Sequence, residues 1–180
     1  WLLGLGHVHV VAVSAGVKEA LVAWGLQANR VRVIANGVDT AAFQPVANAA
    51  LHNVPGLPAD AIIVGAVGNL HPEKGYELML QAAALVVQAR DNVHFVIAGE
   101  GDPAYQRELE QLRDQLGLQH HWHFLGFHAA DAAHYSSLDL LVSAASSEGL
   151  PLSFLEAMAC RVPIVATANE GSTRLLNDAR

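Results

Sequence analysis

Short apolar, β-branched runs alternate with stretches of helical period along nearly the whole chain. That alternation predicts a parallel sheet covered by helices. Residues 7–13 read as a first strand, with Ser14 as a helix cap and an amphipathic stretch from Ala15 to Trp24. Trp24 and Phe95 fall at apolar positions and are expected in the core. Residues 31–34 form a short strand that ends before Asn36-Gly37, a strong turn signal. From about Thr40 to Asp60 the chain is loop-like, broken by Pro45, Pro55 and Pro58.

Beyond Asp60 the punctuation is clearer. Residues 62–68 are an apolar strand, and a loop over 69–75 leads into a long helix that ends near Arg90. A strand over 93–99 is followed by the turn Glu100-Gly-Asp-Pro103, which opens a charged helix through Leu116. Strands over 121–125 and 140–143 enclose a short helix near 131–138, and a last strand covers 164–167. Five strands with four intervening helices predict a doubly wound α/β domain, a Rossmann-like parallel sheet with helices on both faces. Such sheets bind ligands beyond the carboxyl ends of their strands. The loops at 69–75, 99–101, 126–128 and 146–151 all occupy that edge.

One of these loops carries chemistry. In Glu148-Gly-Leu-Pro-Leu-Ser-Phe-Leu-Glu156 one carboxylate stands on a Gly/Pro turn and a second follows just inside a helix. Pro151 suits the first helical position, where its missing N–H costs nothing. Backbone N–H groups at a helix start attract anions, phosphate above all. Two acceptor side chains beside such an end suit a ligand with both phosphates and hydroxyls, as a sugar nucleotide has. The bland alternative is that acidic residues there merely complement the helix dipole.

Composition narrows the picture. Hydrophobic residues make up 52% of the 180-residue chain and charged residues 15%, ample for a globular core. Acidic residues interrupt the apolar runs, so no segment is expected to span a membrane. The start Trp-Leu-Leu-Gly-Leu-Gly-His7 has no basic region and reads as an internal cut, not a signal peptide. A formal charge of −7 argues against broad electrostatic binding to nucleic acid. Lys18 and Lys74 are the only lysines, so a role for Lys74 would be local. The single cysteine, Cys160, cannot form an internal disulfide and reads as a buried, inert thiol. A cytoplasmic location fits, with peripheral membrane association open to the full-length protein.

Other chemistries find little support. Histidines gather at His120, His121, His123 and His128, and His121 and His123 would share one strand face and could start a zinc site. The spacing implies no third ligand, and an Asp-x-Asp motif for a metal-bound diphosphate is missing. Gly65-x-x-Gly68 and Gly99-x-Gly101 are too short for a nicotinamide fingerprint, and no G-x-S-x-G elbow occurs. Ser14 is better explained as a cap than as a nucleophile.

Taken together, these pieces resemble the retaining glycosyltransferases of family 4, whose GT-B fold faces two Rossmann-like domains. Val11-Ala-Val-Ser14 and its helix look like the end of the first domain, and Val33-Ile-Ala-Asn-Gly-Val-Asp39 with Phe43 and Pro45 like the interdomain stretch. Val67-Gly-Asn-Leu-His-Pro-Glu-Lys-Gly75 resembles the donor loop. Phe95-Val-Ile-Ala-Gly-Glu-Gly101, Phe124-Leu-Gly126, the Glu148–Glu156 run and Pro163-Ile-Val-Ala-Thr167 follow in the family's order. The implied division is residues 1–40 as the end of the N-terminal domain and interdomain segment. Residues 41–180 would be the C-terminal nucleotide-sugar-binding domain, truncated at its end.

The resemblance implies a hexosyltransferase-type transfer from a nucleoside-diphosphate sugar to a sugar, lipid or other hydroxyl acceptor. Retained configuration, no cofactor and metal-independent chemistry are implied with it. Lys74 would hold the donor diphosphate and stabilise the charge growing on it. Glu148 would accept from sugar hydroxyls and Glu156 from the ribose. The amides of Gly149, Leu150 and Leu152 would face phosphate or sugar oxygens, and peptide groups near Phe127 would border the base. Two departures stand out. Asn69 replaces an arginine common in the family, with His71 nearby as a contributor when protonated, and a Gly-Gly pair reads Gly171-Ser172 with Leu175 where an acidic residue is usual. Most of the N-terminal domain is expected to be missing, so turnover by this piece alone is not expected. The alternative is a non-catalytic sugar-nucleotide-binding or regulatory module of the same fold, with an epimerase or phosphorylase as a weaker third.

Overall fold

A computed structural model describes residues 9–47, 51, 54, 56–127 and 130–176. The chain forms two compact units. Of the described residues, one unit gathers those up to 37, 147–152 and those from 168 onward; the other gathers those within 38–146 and 153–167.

The larger second unit is built on a five-stranded parallel sheet. In chain order its strands are β3 (Ile62–Val67), β4 (Val93–Ala98), β5 (Trp122–Gly126), β6 (Leu140–Ser143) and β7 (Ile164–Ala166). They are arranged β5-β4-β3-β6-β7. β3 is central because it is the first strand laid down, and successive crossovers add two strands on each side of it. The covering helices are α2 (Tyr76–Ala89), α3 (Pro103–Gln115), α4 (Ala132–Ser136) and α5 (Leu152–Ala159). Strand and helix positions thus follow the alternation of the sequence to within one or two residues.

Every residue of β4 is buried, as expected for a strand covered on both faces. Phe95 lies in the core as the pattern predicts, its ring stacked on Trp122 at 5.6 Å between centroids. Leu80, Ile97, Leu109 and Leu118 close around this pair. Each large side chain so buried contributes about 1.5–3 kcal/mol. Cys160 is buried and free, and burial pushes its thiol above the usual range, so the inert reading holds.

The first unit contains a small β-α-β element. Strands β1 (Val10–Ala12) and β2 (Val31–Val33) pair in parallel, with Val10 opposite Val31. Between them runs α1 (Ala15–Ala23), and Ser14 caps it by accepting from the Val17 amide at 3.1 Å. Trp24 departs from expectation. It stands at the C-cap, past the last helical turn, and is 80% exposed rather than in a core. The segment 147–152 and helix α6 (Glu170–Leu176) complete the unit. Residues 1–8 and His128, which carry parts of the predicted first strand and histidine group, lie outside the described residues.

Candidate functional site

In the second unit the carboxyl ends of the sheet strands are stitched into one rim. The Phe127 amide, just past β5, donates to Glu100 Oε1 after β4 at 3.0 Å. The loops after β4 and β3 meet backbone to backbone: a Cβ on Gly99 would overlap the Gly68 carbonyl, and Leu70 bridges to Gly101. Beyond β6, the Ser146 amide and hydroxyl both donate to the Glu73 carbonyl, at 2.9 and 3.3 Å. Thr167 Oγ1, past β7, donates to the Ala145 carbonyl at 2.6 Å. Polar backbone at strand ends finds partners in neighbouring loops, and a continuous shelf results.

The loop after β3 shows how this shelf holds a cation. His71 Nδ1 caps a 3₁₀ turn over Pro72–Lys74 by accepting from the Glu73 amide at 3.4 Å. Gly75 follows in the left-handed region at φ 68° and opens α2. The turn folds Lys74 back over the strand end, where its Cε lies 3.7 Å from the position a Cβ on Gly68 would take. The Tyr76 hydroxyl donates to the Gly68 carbonyl at 2.8 Å and pins the same spot. Asn69, the residue after Gly68, is exposed, and the Phe127 ring is 78% exposed.

Glu156 lies in the second turn of α5. Its Oε2 accepts a hydrogen bond from the Tyr135 hydroxyl on α4. Tyr135 is fully buried, and burial with the Glu156 carboxylate beside it pushes the hydroxyl far above its ordinary range. This partner was not visible in the sequence, because the pair is brought together by packing of two helices twenty-one residues apart.

Glu148, Gly149, Leu150 and Leu152 belong to the first unit. The Glu148 carbonyl accepts from the Gly171 amide at 3.1 Å, and a Cβ on Gly171 would crowd Glu148. The Leu150 carbonyl accepts from Asn36 Nδ2 at 2.9 Å. Gly149 packs so closely on the start of α1 that an added Cβ would sit 3.2 Å from Val13 and Val17 methyls. With these carbonyls occupied, the amides of Gly149, Leu150 and Leu152 have no acceptor among the described residues. Pro151 is buried and stands one residue before α5, so Leu152 takes the first helical position expected of the proline. Ser172 has a local reason: its amide and hydroxyl close a turn with Asn169 at the head of α6.

The histidines form a group of another kind. His121 and His123 do lie together, and the third ring is His94 on β4, which spacing alone did not reveal. His94 Nδ1 and His123 Nε2 face each other at 3.2 Å, so these nitrogens bind one another. Burial, then the neighbouring imidazoles, lowers the pKa of both. Among the described residues no group of three or more His, Cys, Asp or Glu side chains is arranged to hold a metal ion. No helix among them is long and apolar enough to cross a membrane.

Comparison with known proteins places these features. The family model for glycosyl transferases group 1 matches residues 48–180, and that for glycosyltransferase family 4 matches residues 5–42. A D-inositol 3-phosphate glycosyltransferase of Geodermatophilus obscurus is 33% identical over 164 residues, 86% of this chain and 36% of the relative. A lipopolysaccharide core biosynthesis mannosyltransferase of Rhizobium meliloti is 32% identical over 139 residues, 75% of this chain and 40% of the relative. Among solved structures, Anabaena HepE in complex with UDP and glucose superimposes with a TM-score of 0.84 at 28% identity. That match covers 93% of this chain and 46% of HepE. The chain therefore spans between 36% and 46% of the length of these proteins.

Proposed function

The chain belongs to the glycosyl transferases group 1, and from that premise we propose that it supplies the donor side of a sugar transfer. The donor is a nucleoside-diphosphate sugar, the acceptor a sugar, lipid or other hydroxyl compound, and the anomeric configuration is retained. The stitched rim of strand ends carries this reading, with Lys74 folded over the end of β3. A shelf of backbone at a parallel sheet's carboxyl edge, bearing one compact cation, suits a diphosphate.

In this reading Lys74 binds the diphosphate and offsets the charge that grows on it as the bond to the anomeric carbon breaks. The acceptor hydroxyl bonds to that carbon on the face the diphosphate leaves, and its proton passes to a departing phosphate oxygen. Glu148 accepts from sugar hydroxyls and Glu156 from the ribose. The amides of Gly149, Leu150 and Leu152 serve sugar or phosphate oxygens, and the peptide after β5 at Phe127 borders the base. Asn69 offers neutral hydrogen bonds to the phosphates. Neither carboxylate acts as a general acid, and the chemistry needs no metal or other cofactor. Turnover belongs to the full-length protein, whose N-terminal domain supplies acceptor recognition.

Calorimetry on the folded chain with uridine and guanosine diphosphates and their sugar conjugates tests the donor assignment. Binding by one series, weakened by Lys74→Ala and Glu156→Ala, is expected. Failure of every nucleotide to bind a folded chain removes the assignment, and an inverted product anomer from the full-length enzyme removes the retaining mechanism.

A further inference from the structure

The strongest unassigned feature beside the site is Tyr135. It is fully buried on α4, and its ring meets Phe43 edge-on at 6.0 Å. The short helix that carries it is tied down at several points. Asp131 Oδ1 accepts from the His134 amide at 2.9 Å, and Ser136 Oγ accepts from the Val46 amide at 2.9 Å. The tyrosine therefore has little freedom, and its hydroxyl donates to Glu156 Oε2.

A hydroxyl bonded to a carboxylate is a strong, directional contact. Burial, then the Glu156 carboxylate beside it, pushes this hydroxyl far above its ordinary range, so at neutral pH it is protonated and donates. Glu156 Oε1, meanwhile, has no partner among the described residues. One carboxylate oxygen is occupied from the interior and the other is left to accept.

We propose that Tyr135 is a positioning residue that fixes the Glu156 carboxylate so that Oε1 receives the ribose hydroxyls of the donor. This rests on the donor reading above and adds the element that sets its selectivity for ribose. An unbraced glutamate would sample several rotamers, and ordering it on binding would cost affinity. With the tyrosine in place, the ordering is done on folding.

The test measures Kd for uridine and guanosine diphosphates and for their 2′,3′-dideoxy counterparts. The wild-type chain is expected to prefer ribose by about tenfold or more, the scale of a hydrogen bond to a charged group. Glu156→Ala should bring that ratio close to one. Tyr135→Phe keeps the ring against Phe43 and should lower the ratio roughly threefold or more, with no further loss when combined with Glu156→Ala. Placing p-aminophenylalanine at position 135 restores a donor on the same ring and should recover the preference, which a purely structural role would not produce. An unchanged ratio in Tyr135→Phe, with the ratio lost in Glu156→Ala, overturns the tyrosine's role and leaves the donor reading intact. A ratio that survives Glu156→Ala overturns the tyrosine's role together with the Glu156–ribose contact, whereas failure of every nucleotide to bind the folded wild-type chain overturns the donor reading itself.

Discussion

Gly75 lies so close to the Ala144 carbonyl that a Cβ on the glycine would overlap that oxygen. The two residues join the loop after β3 to the loop after β6, next to the Ser146 bonds to the Glu73 carbonyl. Gly75 also sits at φ 68°, in the left-handed region, where a side chain costs about 1–2 kcal/mol. Gly75→Ala should thus destabilise the chain by about 2 kcal/mol or more, lowering Tm by roughly 4–8 °C. Nucleotide affinity should fall further than stability, since the displaced turn carries Lys74. Thermal unfolding with parallel calorimetry separates the two effects.

Arg161 presents the opposite case. It holds φ 61° just past α5, the only non-glycine residue described with a positive φ. Its amide donates to the Met158 carbonyl at 3.0 Å and that of Val162 to the Ala157 carbonyl at 2.9 Å. This paired pattern is the Schellman close of a helix, whose left-handed position usually holds glycine. Arg161→Gly removes the steric cost at the expense of a freer unfolded chain. A net stabilisation of about 0.5–1 kcal/mol is expected, read as a higher denaturant midpoint at unchanged slope. A lower midpoint would mean that the arginine side chain contributes contacts of its own.

The stacked histidines predict a pH dependence. His94 and His123 have pKa values lowered below the ordinary 6.5, chiefly by burial and then by their neighbouring imidazoles. Arg113 adds to the lowering at His123, while Asp60 and the His120 carbonyl oppose it at His94. Below pH 6.5 the unfolded chain takes up protons that the folded chain refuses. Stability is therefore full above that value and declines as pH falls toward the lowered values. Denaturant midpoints at roughly pH 8 and roughly pH 5 should show this loss. His94→Phe should flatten the profile, and an equally steep profile in that variant would assign the loss to other groups.

How much of this could be read from the chain differs by feature. The five sheet strands were legible because β-branched runs are bounded by Gly, Pro and Asn, and the order of loops along the carboxyl edge of the sheet followed from that. Relationships between distant segments were not. Nothing in spacing links Tyr135 to Glu156 or His94 to His123, since register and helix packing create those pairs. The segment around Glu148 reads as part of the α/β domain, yet it packs with Val13, Asn36 and Gly171 in the smaller unit. Trp24 misled because periodicity continues for a residue beyond the turn that ends α1.

Lys74 offers the sharpest test of the donor site. The 3₁₀ turn before Gly75 lays its stem along Gly68, and its ammonium is the local cation of a chain whose formal charge is −7. A contact between an ammonium and a diphosphate is worth about 1.5–3 kcal/mol, so Lys74→Met should raise the Kd of a nucleoside diphosphate roughly 10- to 100-fold. The same change should leave nucleoside binding nearly untouched, because the base and ribose contacts proposed at Phe127 and Glu156 do not use this ammonium. Lys74→Arg should recover only part of the loss, since a planar fork does not reproduce a compact point charge on that stem. Raising salt should weaken the wild type more than the methionine variant. If Lys74→Met weakened diphosphate and nucleoside equally, the lysine would be supporting the loop rather than binding phosphate.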